Sequence, residues 1–175
     1  MIGNFPSYWD APSQLLSLNG CCGPVTAWGI LKYFGKRPSS AKLIEACRYS
    51  KRHGTFMIAL AVALGEAGLS VSQYSDHDPD PHLIERRCYK AASRLGIRVA
   101  PTKGLNALLT QIGSGSIAVV FYLAAEGNGH ISPLLGVEGP NLVLPYSNGG
   151  LLPRREFVKR WNEPGIFRQC LVVSA

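Results

Sequence analysis

The hydrophobic pattern of this chain changes period once, near Gly113, and that change constrains the fold more than any other feature. Upstream, apolar residues recur at helical spacing. Val25, Ala27, Trp28, Ile30, Leu31, Tyr33 and Phe34 leave residues 24–34 almost no polar side, which predicts a helix buried on most of its circumference, with Gly35 as its stop. Ser39 and Ser40 can cap a second helix to about residue 50, and Thr55 a third over residues 56–67. Leu83, Ile84, Cys88, Ala91, Ala92 and Leu95 mark a fourth, closed by Gly96; Leu105, Leu108, Leu109 and Ile112 mark a fifth. Short strands are expected at 69–74 and 97–99. Downstream the pattern is that of strands: residues 117–123, 130–137, 141–144 and 170–173 are β-branched or aromatic runs, with one short helix at 156–161 between the last two. Helices ahead of a mostly antiparallel sheet define the α+β class.

Composition narrows this further. The 175 residues are 46% hydrophobic and 17% charged, which suits one domain spanning residues 1–175 with a sizeable core and excludes a disordered tail protein. No repeat or low-complexity tract divides it; the nearest approach to a linker is the Asp/Pro/His stretch at 76–82. The most apolar stretch, 56–64, is interrupted by Gly65 and Glu66, so no transmembrane segment is expected. The first residues, MIGNFPSYWDAPSQ, have neither the basic nor the apolar region of a secretory signal, so the expected location is cytoplasmic. Export as a bacterial effector by a dedicated machine needs no such signal and stays open.

Eighteen Lys and Arg against eleven Asp and Glu give a net charge of +7. The basic residues are scattered, and none interleave with aromatics as a base-stacking platform requires, so nucleic acid is not expected as a partner. A positive surface favours acidic partners or membrane surfaces in general. Of the five cysteines, Cys21 and Cys22 are adjacent and would strain if bridged; no CxxC pair occurs, and the four histidines lack ligand spacing beside cysteines. Neither a disulfide framework nor a metal site is expected, which leaves buried thiols or a reactive one.

The segment Asn19-Gly-Cys-Cys-Gly-Pro24 delivers two cysteines to the start of the buried helix. Free amides and the positive end of the helix dipole favour a thiolate there, and the thiolate is the nucleophile. Cys22, directly before Gly-Pro, is the better candidate and Cys21 the reserve; the plain alternative is a pair of small hydrophobes where the helix begins. His130, in Gly127-Asn-Gly-His-Ile131, stands where a strand begins, with glycines leaving room for a ligand, as suits a general base; the alternative is an ordinary turn histidine. His53, His77 and His82 read as surface residues.

Taken in order, Gln14, Cys22-Gly-Pro24, Leu31-Lys-Tyr-Phe-Gly35, Gly129-His130, Val143-Leu-Pro145 and Glu156-Phe-Val-Lys-Arg-Trp161 resemble the bacteriocin-processing cysteine peptidases, the double-glycine leader peptidases and their free-standing relatives, over residues 14–162. The resemblance implies a papain-like fold, Cys22 as nucleophile, His130 as base and Gln14 as side-chain donor to the oxyanion, with no cofactor and a peptide or protein substrate. There are two departures. Gln14 precedes Cys22 by eight residues, farther than the family's glutamine stands from its cysteine, and the family's Asp-Pro pair is here Leu144-Pro145. Asn148 is the nearest amide that could orient the histidine in place of the missing aspartate, its alternative being a plain Asn-Gly turn.

The expected function is therefore a cysteine peptidase cleaving a peptide or isopeptide bond through an acyl-enzyme. A deamidase or transglutaminase would use the same dyad, and a papain-like domain that binds peptide without turning it over is the reading from another class. Residues 113–116 and 125–129 are expected to border the groove.

Overall fold

The structure is a computed structural model that describes residues 4–113 and 115–175. Residues 1–3, part of the stretch read above for a targeting signal, and Ser114, in one of the loops expected at the groove, lie outside the described residues. A 3-10 turn, Tyr8–Asp10, and the single-turn helix α1, Ser13–Leu16, lead into α2, Cys22–Tyr33. Every residue of α2 from Gly23 to Leu31 is buried, as its nearly unbroken apolar circumference requires. Gly35 stops it in a left-handed conformation, φ +72°, with its N–H on the Lys32 carbonyl at 3.0 Å and the Lys36 N–H on that of Leu31 at 2.8 Å.

Next come α3, Ser40–Ala46, α4, Met57–Glu66, β1, Ser70–Ser75, and α5, Leu83–Arg94. The paired bonds that end α2 recur after α4 at Gly68 and after α5 at Gly96. The start of α4 departs from expectation. Phe56, in extended conformation, holds the capping position with its carbonyl accepting from Leu60, so Thr55 lies one residue outside the helix and its hydroxyl caps nothing.

The rest of the chain is β2, Arg98–Pro101, α6, Leu105–Leu109, β3, Ser116–Leu123, β4, Gly129–Leu134, β5, Gly136–Glu138, β6, Asn141–Val143, β7, Leu151–Pro153, α7, Arg154–Trp161, and β8, Cys170–Ser174. Five strands form one sheet in the order β2-β1-β8-β3-β4, antiparallel except for β1 beside β2. The apolar run at 130–137, expected as one strand, is two: the chain leaves the large sheet after Leu134, and Gly136, at φ +145°, starts a small sheet of β5, β6 and β7.

Strand alternation sorts side chains into two cores. Val71, Val119, Ile131, Leu171 and Val173 pack with α2 and α4 on one face. Tyr74, Ala118, Val120, Tyr122 and Leu134 pack on the other with Leu142, Phe157 and Trp161 of the small sheet and α7. Each fully buried Ile, Leu or Val contributes about 1.5–3 kcal/mol. Helices covering a mostly antiparallel sheet make the architecture α+β, and among the described residues no helix is long and apolar enough to cross a membrane.

Candidate active site

Cys22 opens α2, and the backbone around it is arranged for a sulfur anion. Cys21 supplies the carbonyl that accepts from Val25 at 3.0 Å, and Pro24 has no N–H, so the free donors of the first turn are the amides of Cys22 and Gly23. Both face the Cys22 thiol, joined by the main-chain N–H of Ile131 on β4. These bonds pull the thiol down, but burial outweighs them and leaves it above its ordinary value. Cys22 therefore rests as a thiol at neutral pH. The thiolate expected from the helix start is served by its donors and opposed by desolvation, and desolvation wins.

The neighbouring cysteine faces elsewhere. Cys21 Sγ is 3.0 Å from the Tyr8 hydroxyl, while Cys22 lines an open cleft of about 460 Å³. On the floor and walls of that cleft stand Asn19, Thr55, Phe121 and Ile131, with Lys51 and Arg52 on one rim. Of the loops expected at the groove, 125–129 contributes Asn128 and Gly129; the described residues of 113–116 do not line it. Gly129 leaves room for the Phe121 ring, which a side chain at that position would strike.

His130 is the second residue of β4, the outer strand of the large sheet. The next residue, Ile131, is docked on two successive turns of α2: its N–H faces Cys22, and its carbonyl accepts from the Thr26 hydroxyl at 3.5 Å. His130 thus stands one residue from the strand amide that faces the thiol, and its side chain neither lines the Cys22 cleft nor hydrogen-bonds the sulfur. Tyr122, opposite His130 in the ladder, meets its ring edge-on at 5.6 Å between centroids, and a thiolate at Cys22 would raise the Tyr122 phenol.

The ring of His130 is fixed by a main-chain group. Its Nε2 lies 2.9 Å from the carbonyl oxygen of Tyr146. A carbonyl only accepts, so Nε2 carries the proton and Nδ1 keeps its lone pair, the form a general base needs. Burial holds the imidazole below its ordinary value, opposed by the Tyr146 carbonyl and by Glu126. Tyr146 is itself anchored: its ring meets Phe5 at 5.7 Å and Tyr8 at 5.5 Å, and its hydroxyl donates to the Pro6 carbonyl at 3.1 Å. Gly29 of α2 provides the slot for that ring, since a Cβ there would strike the Tyr146 hydroxyl.

The other two expected site residues are not brought into this arrangement. Gln14 is exposed on α1, its carbonyl bonded to the Ser17 hydroxyl, and it does not line the cleft. Asn148 is exposed in the turn two residues past Tyr146, whose carbonyl holds the place at the imidazole. Residue type gave no signal for that carbonyl, because any residue supplies one. Leu144, where the family resemblance places an aspartate, is fully buried.

His53 and His82 are exposed, as expected, but they are not idle. With Phe56 they form a stack between the Cys22 cleft and a larger one of about 560 Å³, the imidazole centroids 4.7 Å apart and Phe56 5.2 Å from His82. His82 also caps α5, its Nδ1 accepting from the Ile84 N–H at 3.2 Å while its own N–H donates to Glu85 at 2.9 Å.

Neither a family model nor a curated relative matches the sequence. Solved structures do match the fold. The peptidase domain of Streptococcus ComA, a bi-functional ABC transporter involved in quorum sensing, aligns over 87% of this chain and 90% of its own, with a TM-score of 0.56 at 14% identity. A double-glycine-motif protease from an AMS/PCAT transporter, solved with a leader peptide, aligns over 88% and 84%, with a TM-score of 0.54 at 17% identity. The chain shares the α+β fold of these two peptidase structures.

Proposed function

We propose that this chain is a cysteine hydrolase that cleaves a peptide or isopeptide bond through an acyl-enzyme on Cys22. One observation carries the reading: an accessible thiol at the start of α2 faces three main-chain N–H groups, one of them from the strand whose preceding residue is a histidine with Nε2 pinned and Nδ1 free. Both groups are neutral at rest, so the proton moves as the bond forms. Cys22 Sγ attacks the carbonyl carbon while its proton passes to His130 Nδ1. The protonated imidazole then gives that proton to the departing amine. Water, deprotonated by the same nitrogen, attacks the thioester and releases the acid. The two structural neighbours, both peptidases, support a peptide substrate.

A second reading, a domain that holds peptide without turnover, is favoured by the buried Leu144 and the uncharged partner of His130. A synthetic peptide library analysed by mass spectrometry separates the two. The hydrolase yields new termini that vanish in Cys22→Ala and His130→Ala. Cleavage surviving in Cys22→Ala, or no cleavage at all, removes the hydrolase reading, and a mass gain of one unit at glutamine without cleavage assigns the site to deamidation.

A further inference from the structure

Thr55 carries a hydroxyl for which the fold provides no partner. The residue is 7% exposed, and its Oγ1 is shut off from bulk solvent and forms no hydrogen bond. Burying a hydroxyl unpaired is costly, so its retention calls for an occupant that the free protein lacks. The surroundings indicate what kind. Thr55 lines the Cys22 cleft and lies directly over Gly23, where an added Cβ would come within 2.8 Å of the hydroxyl oxygen. Glycine at position 23 thus admits the threonine onto the start of a twelve-residue helix, where the amides of Cys22 and Gly23 are free of the helix ladder. Thr55 thus packs on the helix start that carries these two amides, in the cleft that Cys22 lines.

We propose that the Thr55 hydroxyl and the amides of Cys22 and Gly23 form the oxyanion pocket of the reaction assigned to Cys22, the role expected of Gln14. The inference rests on the hydrolase reading above. When Sγ bonds to the carbonyl carbon, the C=O π pair moves onto oxygen as the thiol proton passes to His130. The amides that face the sulfur at rest are released to that oxygen, and Thr55 donates its hydroxyl hydrogen to it. When the C–N bond breaks, the pair returns to re-form C=O. A neutral, buried donor suits a charge that exists only during this step, because it needs no counter-charge before the charge appears.

Two probes of Cys22 distinguish this role from packing. 4-Nitrophenyl acetate is attacked at a carbonyl and passes through an oxyanion; iodoacetamide is attacked at a saturated carbon and does not. With modification of Cys22 read by mass spectrometry, Thr55→Val is expected to slow acetylation on the order of 100-fold and leave alkylation unchanged, and Thr55→Ser to restore acetylation. Thr55→Ala removes the same hydroxyl and replaces the valine variant if that one fails to fold. Acetylation that is unchanged without the hydroxyl overturns the pocket while leaving the hydrolase intact, and so do acetylation and alkylation that fall together. If the unaltered protein is alkylated but never acetylated at Cys22, the hydrolase reading falls and the pocket with it.

Discussion

The Nε2 atom of His130 lies 2.9 Å from the main-chain carbonyl oxygen of Tyr146, so the group that orients the candidate base is backbone and not a side chain. A carboxylate there would stabilise the imidazolium with a full charge; a carbonyl offers only a dipole, and it fixes the tautomer without holding the proton strongly. The arrangement is only as firm as the anchoring of Tyr146.

That anchoring is testable at Gly29. A helix interior normally gains about 1 kcal/mol when alanine replaces glycine. Here the added methyl strikes the Tyr146 hydroxyl, and its ring carbon at 2.9 Å, so Gly29→Ala is expected to destabilise the protein by about 1–3 kcal/mol, the usual cost of overpacking. It should also slow acylation of Cys22, and adding Tyr146→Phe should recover part of both losses. Asn148→Ala, by contrast, should change neither melting temperature nor acylation rate; a large loss of rate there would return the orienting role to the side chain.

The pH dependence follows from two buried groups shifted in opposite directions. His130 is held below its ordinary value and Cys22 above, so both are neutral between them. Because the base works only when deprotonated, the acylation rate should climb through a midpoint below about 6.5 and be flat across neutrality. Iodoacetamide, which needs the thiolate itself, should react with Cys22 ever faster as pH rises beyond the ordinary thiol range. Proton NMR of His130 checks the first midpoint, and an alkylation midpoint well below 8 would show a preformed ion pair instead. Stability carries the same sign: the folded state binds this proton less readily than the unfolded chain, so His130 contributes a loss of stability as pH falls below about 6.5.

Much of this was legible in the residues. The helices and short strands expected ahead of Gly113 and the strands expected after it are found, although β1 and β2 join β8, β3 and β4 in one sheet across that point, and the glycines at 35, 68 and 96 end helices as their positions suggest. Cys22 and His130 stood out because their flanks, Gly-Pro on one side and Asn-Gly on the other, are local and chemically distinctive. The contributions that were not legible depend on tertiary geometry. The Tyr146 carbonyl and the Ile131 amide have no signature of residue type, and Thr55 carries the pattern of a helix cap while its hydroxyl is buried without a partner. Gln14 was placed by the resemblance despite its spacing, and Asn148 by nearness in sequence, neither of which says where a loop side chain points.

The stack beside the cleft has a structural role that mutation can isolate. His82→Ala removes the cap of α5 and should cost about 1 kcal/mol of stability, whereas His82→Asn keeps an acceptor for the Ile84 amide and should cost less. Thermal denaturation measures both. Equal losses would show that stacking on Phe56, and not capping, holds the residue in place.

Arg168 grips Asp76 with two hydrogen bonds of 2.7 Å, tying the segment before β8 to the end of β1. Both side chains are about one-third exposed, so solvent screening limits the pair. Asp76→Ala should lower stability by about 0.5–1 kcal/mol and leave Cys22 reactivity unchanged. A loss several times larger in a denaturant titration would mean that the pair organises more of the chain than its own loop.

The most direct test of the account is the rate at which 4-nitrophenyl acetate forms a thioester, located by peptide mass spectrometry, in the unaltered protein and in His130→Ala. The account predicts a thioester on Cys22, and a rate that falls by about 100-fold or more when the base is removed. A thioester that forms on other cysteines in preference to Cys22, or one that forms on Cys22 equally fast without His130, would contradict it.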